Sequence, residues 1–423
     1  MASTYLTRSL SSAGSLTTFT ISAWVKRSNL GASNTLFQSQ ANGGYFRIQF
    51  DTNNKINILD DNSGVNKTTS QVFRDTSAWY NLIFAFNSTQ STSSLRDRLY
   101  VNGEEVTSWS TNTPSTQNNS YRWQENSQLQ NIGRHGDNTE HYNGLMSHVN
   151  CIDGLQLSAS DFGSTDANGV WKIKTSPSVT YGTNGFFILK DGNSVTDQSG
   201  NSNNFTVGGG TLTNTEDSPS NVFATLNPLY KPYASATFSE GNLKISTATG
   251  WSGNKATMGV SQGKWYWEIK LSGTMTDHQH GVQQENVNEG VSNPENTIGT
   301  TVFFNQDGGE MKTNGTATTA DYGLFSTGDI MGVALDMDSG SYGQITIYKN
   351  GTPLVSNFNL SSSSTLVMPF SSIVNSTAEY NFGNGYFGTT AVASAGTNAS
   401  GNGIFEYDVP TGYTALSTKG LNL

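Results

Sequence analysis

The alternation of apolar and polar positions is clearest between Thr18 and Val25. Phe19, Ile21, Ala23 and Val25 fall on one side of a period of two, and Thr18, Thr20, Ser22 and Trp24 on the other. That period predicts a half-buried strand. Runs of the same kind predict strands over Tyr45 to Phe50, Lys55 to Asp60, Trp79 to Asn87 and Arg98 to Val101, with Asp51-Thr52-Asn53-Asn54 as a turn between two of them. Connections this short make neighbouring strands antiparallel. Asn102-Gly103 stands between Leu99-Tyr100-Val101 and Glu104-Glu105-Val106, and Asn-Gly is the pair that tolerates positive φ at both central positions of a hairpin turn. Tyr142 to Leu155 closes this region, and Ser158 to Phe162 has the make-up of one helical turn.

A second set of strands begins near Leu243 and includes Lys264 to Leu271, Thr301 to Asn305, Ile330 to Asp336 and Gln344 to Lys349, followed by a second Asn-Gly turn at Asn350-Gly351. Each half thus holds a Trp-Tyr strand and a later Tyr-x-Asn-Gly hairpin, at different separations, which predicts two sandwiches of related architecture rather than a tandem repeat. Between them, Ser164 to Asn227 is looser: Asp197 is its only charged residue from Gly192 to Thr215, and glycines stand together at 208 to 210. Gly185-Phe186-Phe187-Ile188-Leu189 nonetheless predicts a packed strand, so this segment is expected to be an ordered connector. A Gly/Ala/Ser/Asn-rich stretch from Ala391 leads to Ile404 to Pro410, expected as an edge strand ended by proline. No stretch of ten or more residues has a helical period. The expected class is therefore all-β, without Rossmann or P-loop chemistry.

At 423 residues the chain holds two domains of ordinary size. Charged residues are 13% and aromatic residues 11%, the reverse of a disordered composition. A net charge of −10 offers no field for phosphate backbones or anionic lipid, so no nucleic-acid partner is expected. No apolar run reaches the roughly 18 residues of a spanning helix, so no membrane insertion is expected. The opening MASTYLTRSL has no apolar core of a signal peptide, which predicts synthesis in a cytoplasm without one. Cys151 is the single cysteine, excluding an intrachain disulfide and a multi-cysteine zinc site.

Thr20-Ile21-Ser22-Ala23-Trp24-Val25-Lys26, Trp79-Tyr80-Asn81-Leu82, Leu99 to Gly103 and Tyr142 to Met146 through Phe162 resemble a laminin-G/pentraxin-type concanavalin A-like jelly roll, over residues 1–163. Gly263 to Leu271, Gly328 to Asp336 and Ile345 to Gly351 resemble a SPRY domain over 228–390, with 164–227 as connector and 391–423 as C-terminal extension. The resemblance implies two concanavalin A-like jelly-roll β-sandwiches joined by an ordered connector. Thr180 to Phe186, Asp197 to Asn201, Asp217 to Pro228 and Val409 to Leu423 are similar to segments of virion proteins of marine tailed phages. That similarity implies a structural protein on the exterior of a phage particle, assembled in the host cytoplasm with other virion proteins.

Sugar binding needs aromatic faces and polar groups on loops held by a rigid scaffold. The richest such loop is Val106 to Gln130, and the candidate ligand-binding residues are Trp109, Tyr121, Arg122, Trp123 and Asn126, with Tyr142 beside them. Packing of these aromatics onto the sandwich is the alternative. Trp251 and Tyr342 are the candidates of the second domain. Two polar clusters have metal-ligating residue types: His135, Asp137, Glu140 and His141 in one loop, and His278 with His280 on one face of a strand. The laminin-G resemblance implies Ca2+ at the domain rim, without a residue-by-residue match, so the metal is left open.

Hydrolytic motifs are present only in fragments. Gly259-Val260-Ser261-Gln262-Gly263 matches G-x-S-x-G ahead of Asp277 and His278, but a strand follows where a nucleophile elbow needs a helix. Glu406-Tyr407-Asp408 matches part of the acidic motif of concanavalin A-like glycoside hydrolases, which need two carboxylates flanking the bond, and Pro410 stands where the third acid belongs. Asp336-Met337-Asp338-Ser339-Gly340 imitates a calcium loop without its later ligands. The expected function is non-enzymatic: a homotrimeric tail fibre or appendage that binds a host-surface glycan or protein. The alternatives are a capsid decoration or head-fibre protein and, behind it, a polysaccharide-degrading enzyme.

Overall fold

The alternating runs are strands in the computed structural model, which describes residues 3–41, 44–190, 192, 194–230, 236–285, 301–361 and 366–422. Trp79–Asn87, Thr301–Asn305, Ile330–Asp336 and Gln344–Lys349 have the expected bounds. The chain forms two units, one ending at Asn214 and the other beginning at Thr215. The structure therefore divides the expected connector: 164–214 belong to the first sandwich and 215–227 to the second.

In the first unit an eight-stranded sheet runs Trp109–Thr113, Asn66–Thr69, Ile56–Asp60, Gly44–Phe50, Asn34–Ala41, Leu129–Ile132, Tyr5–Ser9 and Thr206–Gly209. It faces a six-stranded sheet of Phe186–Ile188, Gly144–Asp153, Thr18–Arg27, Trp79–Asn87, Asp97–Val101 and Glu104–Glu105. Phe19, Phe46, Ile58, Phe84 and Phe86 fill the space between, each fully buried and each contributing roughly 1.5–3 kcal/mol. The connector strand Phe186–Ile188 pairs with Gly144–Asp153. Arg8 holds this segment in place: its guanidinium lies 5.0 Å from the Phe186 ring and 5.3 Å from the Phe205 ring, and Nη2 donates to the Asn184 carbonyl at 2.9 Å.

Thr18–Arg27 is buried on both faces, not one. Residues 155–181 lie over the outer face of the six-stranded sheet, where Leu157, Phe162, Trp171 and Tyr181 join Ile83, Tyr100 and Ile152 in a second, smaller core. Thr20 marks the contact, its hydroxyl donating to the Leu155 carbonyl at 2.8 Å and accepting from the Leu157 N–H at 2.9 Å. A half-buried pattern arises in the sequence because Thr and Ser line this outer face and are satisfied there by the covering chain. The expected helical turn is the 3-10 turn Ala159–Asp161, capped by Ser158.

The second unit repeats the plan. One sheet runs Thr237–Ser239, Lys244–Ser246, Ser376–Asn381, Lys264–Gly273, Ile330–Asp336, Gln344–Lys349 and Thr352–Asn359, with Thr414–Ala415 pairing parallel to Lys264–Gly273. The facing sheet is Ser252–Lys255, Val367–Ile373, His278–Gln284, Thr301–Asn305, Glu310–Thr313 and Thr316–Ala317. Residues 404–410 are not an edge strand. They cross the outer face of the first of these sheets, where Phe405 and Val409 pack with Tyr266, Phe223 and Ala334, and the C-terminal extension is thereby part of the sandwich.

Strand order makes Thr18–Arg27 the counterpart of Lys264–Gly273, and Trp79–Asn87 that of Ile330–Asp336. The two Trp-Tyr strands are thus not equivalent, whereas the two Tyr-x-Asn-Gly hairpins are. Both turns have positive φ at Asn and Gly, 48° and 88° at Asn102-Gly103 and 48° and 78° at Asn350-Gly351. In each the Asn Oδ1 accepts a backbone N–H from the adjacent strand, that of Asn81 at 2.8 Å and of Ile330 at 2.9 Å. Each turn glycine also lies beneath a ring of the covering segment, Trp171 over Gly103 and Tyr407 over Gly351.

Candidate functional site

The aromatic residues proposed for sugar stacking are mostly interior. Tyr121 and Trp123 are fully buried and Tyr142 nearly so. Trp123 packs edge-on against Phe37 and its indole N–H points at Cys151 Sγ, 3.3 Å away. The Tyr121 hydroxyl donates to Asp97 Oδ1 at 2.5 Å and lies 2.8 Å from Ser115 Oγ, while Tyr142 donates to the Lys26 carbonyl at 2.7 Å. These rings present no face to a ligand, because all three belong to the buried core of the first unit. Arg122 is bound by Asp61 and Glu125, and Asn126 is exposed in a turn. In the second unit Tyr342 is exposed and Trp251 half-buried.

The histidine clusters are equally committed. Asp137 Oδ1 accepts from the Thr139 hydroxyl at 2.5 Å and from His135 Nδ1 at 2.7 Å, bonds that hold its carboxyl down at about 2. Glu140 faces the Arg47 guanidinium at 3.3 Å, and His141 Nε2 meets the Asn138 carbonyl at 3.2 Å. A cation with a calcium-like shell of oxygens does not fit a loop whose carboxylates already face an imidazole and a guanidinium. His278 and His280 are buried and bonded to one another, Nδ1 to Nε2 at 3.1 Å. The outer nitrogens reach the Ser272 carbonyl and the Tyr380 hydroxyl, each at 3.0 Å. With all four ring nitrogens engaged, the pair is a core hydrogen-bond chain rather than a metal site. Among the described residues no three His, Cys, Asp or Glu side chains converge on a common point.

The carboxylates of the hydrolase-like motif hold turns. Glu406 accepts the Ala393 N–H at 3.0 Å, and Asp408 accepts the Thr397 N–H at 2.6 Å and its hydroxyl at 2.8 Å. Asp336 accepts from Asp338 N–H and Ser339 and pairs with Lys264 at 2.9 Å. Ser261 is exposed in a bend while His278 is buried. Beneath Glu406 lies a carboxylate with no sequence signature, Glu268. It is fully buried, accepts from the Glu406 and Tyr407 backbone N–H groups, Tyr266 and Asn381, and is pushed up to about 7 by burial against those donors.

A concave site among the described residues includes Trp109, a residue expected from the sequence. At the open side of the first unit, where the outermost strands of its two sheets approach, Lys67, Asp97, Arg98, Glu105, Trp109 and Asn112 line a cavity of about 170 Å³. The Lys67 ammonium sits 3.9 Å over the Trp109 ring and donates to the Asp97 carbonyl oxygen at 2.7 Å. Burial draws it below its ordinary value, and Asp97 and Glu105 act in the opposite direction. Arg98 grips Glu105 through Nε at 2.8 Å and Nη2 at 2.5 Å, keeping that carboxyl below the usual range. Of this lining, Trp109 is the residue that the sequence pattern marks. Lys67 carried no signal, since Asn66–Thr69 is short and polar.

Residues 2–161 match the family model of the concanavalin A-like lectin/glucanase superfamily, of laminin-G type. Residues 264–385 match that of the SPRY domain. The chain carries a concanavalin A-like domain followed by a SPRY domain. Comparison with curated proteins gives no match. Among solved structures, the SPRY domain of human HERC1 is 18% identical, with 37% of this chain and 96% of that chain covered at a TM-score of 0.29. Carbohydrate binding module CBM66 from Bacillus subtilis is 12% identical, covering 37% of this chain and 91% of that one at 0.27. Domains LG4-5 of mouse laminin alpha1 are 9% identical over 98% of this chain and 83% of that one, at 0.28. The cavity beside Trp109 belongs to the concanavalin A-like domain, and the Glu268 carboxylate to the SPRY domain.

Proposed function

We propose that this chain is a non-catalytic binding protein on the exterior of a phage particle, in a tail fibre or surface appendage, attaching to a glycan or protein of the host surface. The observation that carries the non-catalytic part is the fate of the acids: Glu406 and Asp408 each commit one oxygen to a backbone N–H, and Glu268 commits both. Glycosidic cleavage needs two carboxylates flanking the bond. Two lectin-like and interaction-type domains in one chain support binding. The virion setting rests on the similarity of the segments around Thr180, Asp197, Asp217 and Val409 to phage virion proteins. Homotrimers displayed in many copies would turn weak single contacts into avid attachment.

Two measurements test this reading. Copies per particle, quantified by mass spectrometry against the major capsid protein, should match tail symmetry; a number near that of capsid subunits would make the protein a capsid decoration, and zero would end the virion reading. The purified chain should also adsorb to host cells without releasing reducing sugar from host polysaccharide. Sugar release that falls in Glu406→Gln would overturn the non-catalytic assignment.

A further inference from the structure

Building on the glycan-binding reading, we infer that the cavity between Lys67 and Trp109 takes a carboxylate-bearing sugar ring of the uronate or sialate kind. Lys67 is only 4% exposed, and a buried ammonium persists where it is paired. Its partners here are a neutral carbonyl and an aromatic ring. The two nearby carboxylates are engaged elsewhere, Asp97 by the Tyr121 hydroxyl and the Ser115 N–H at 2.7 Å, Glu105 by Arg98. The ammonium therefore has a hydrogen bond and a ring, and feels the Asp97 and Glu105 carboxylates through space without a direct bond to either among the described residues, in the wall of a cavity of about 170 Å³, room for one pyranose. A ligand carboxylate completes the Lys67 shell, since an ammonium has three N–H donors and the Asp97 carbonyl takes one. The half-buried Trp109 indole offers an apolar surface to the C–H side of the ring, and the exposed Asn112 amide at the rim suits its hydroxyls.

Isothermal titration of the full chain with sodium glucuronate, N-acetylneuraminate and glucose tests this. One of the two acidic sugars should bind at least tenfold more tightly than glucose, and which one does so separates the two classes. Its affinity should fall at least tenfold in Lys67→Met and weaken in 0.5 M NaCl. Asn112→Asp, an exposed change at the rim, should weaken the acidic sugar at least threefold more than it weakens glucose. Equal affinity for glucose, or binding untouched in both variants, overturns the inference. If the chain adsorbs to host polysaccharide while none of the three sugars binds, the inference fails and the glycan reading stands. Failure of both overturns the glycan reading as well.

Discussion

The Glu268 carboxylate and the Tyr407 backbone N–H meet at 2.9 Å across 139 positions of sequence. Glu268 shares the outer face of Lys264–Gly273 with Tyr266, whose ring packs 5.0 Å from Phe405, so this one side chain holds the segment after Ile404 onto the sheet. Its carboxyl is pushed up from 4.5 to about 7 by burial. An acid with a raised folded-state pKa binds its proton more fully in the folded chain, so its contribution to stability is present at low pH and declines as pH rises from about 4.5 to about 7. The decline amounts to about 3 kcal/mol. In Glu268→Gln it should vanish, as read from melting temperatures between pH 4.5 and 8.

His280 has the opposite sign. Burial holds its imidazole well below 6.5, with His278 acting the same way. The unfolded chain then takes up the proton first, so stability is lost as pH falls below about 6.5. The two slopes oppose each other in the SPRY domain, and Glu268→Gln should expose the histidine's. Tyr380→Phe removes the donor to His280 Nδ1 and should cost about 1–3 kcal/mol, while added Zn2+ should leave the melting temperature of the native chain unchanged. A rise with zinc would mean that the pair opens to metal.

Trp123→Ala is a core deletion. With the indole fully buried against Phe37 and Phe46, the loss should be about 3–5 kcal/mol in denaturant unfolding. Unchanged stability together with lost adsorption would return Trp123 to the binding surface.

Gly351→Ala should destabilise the SPRY domain by at least about 1 kcal/mol. The residue has φ of 78°, and a methyl group there would approach Tyr407 Cδ1 to 2.6 Å. Gly412, also at positive φ but with its nearest neighbour 4.0 Å away at Lys264 Cδ, is the control: its alanine variant carries only the backbone cost, so the difference between the two measures the ring.

The strands that follow a period of two were legible because packing between sheets imposes that period, as in Ile330–Asp336. Leu129–Ile132 and Asn66–Thr69 were not, since their side chains are largely polar and their pairing comes from neighbours distant in sequence. The buried rings of the 106–130 loop escape the sequence pattern for a related reason. Aromatic residues amid Asn and Ser have the composition of a sugar site, but Tyr121 reaches a buried acid, Asp97, that no local pattern connects to it. Trp109 remained on the surface because it stands on the outermost strand.

Tyr5–Ser9 is paired on its outer side by Thr206–Gly209, and the Thr206 hydroxyl reaches the Thr7 carbonyl across 199 positions. On a ribosome the earliest strand of the first unit must therefore wait for nearly the last, roughly 10–40 s at 5–20 residues per second. For that interval it is a sheet edge without its neighbour. Many nascent copies on one message would bring such edges together, and a chaperone that shields Tyr5–Ser9 during synthesis should raise the yield of folded protein.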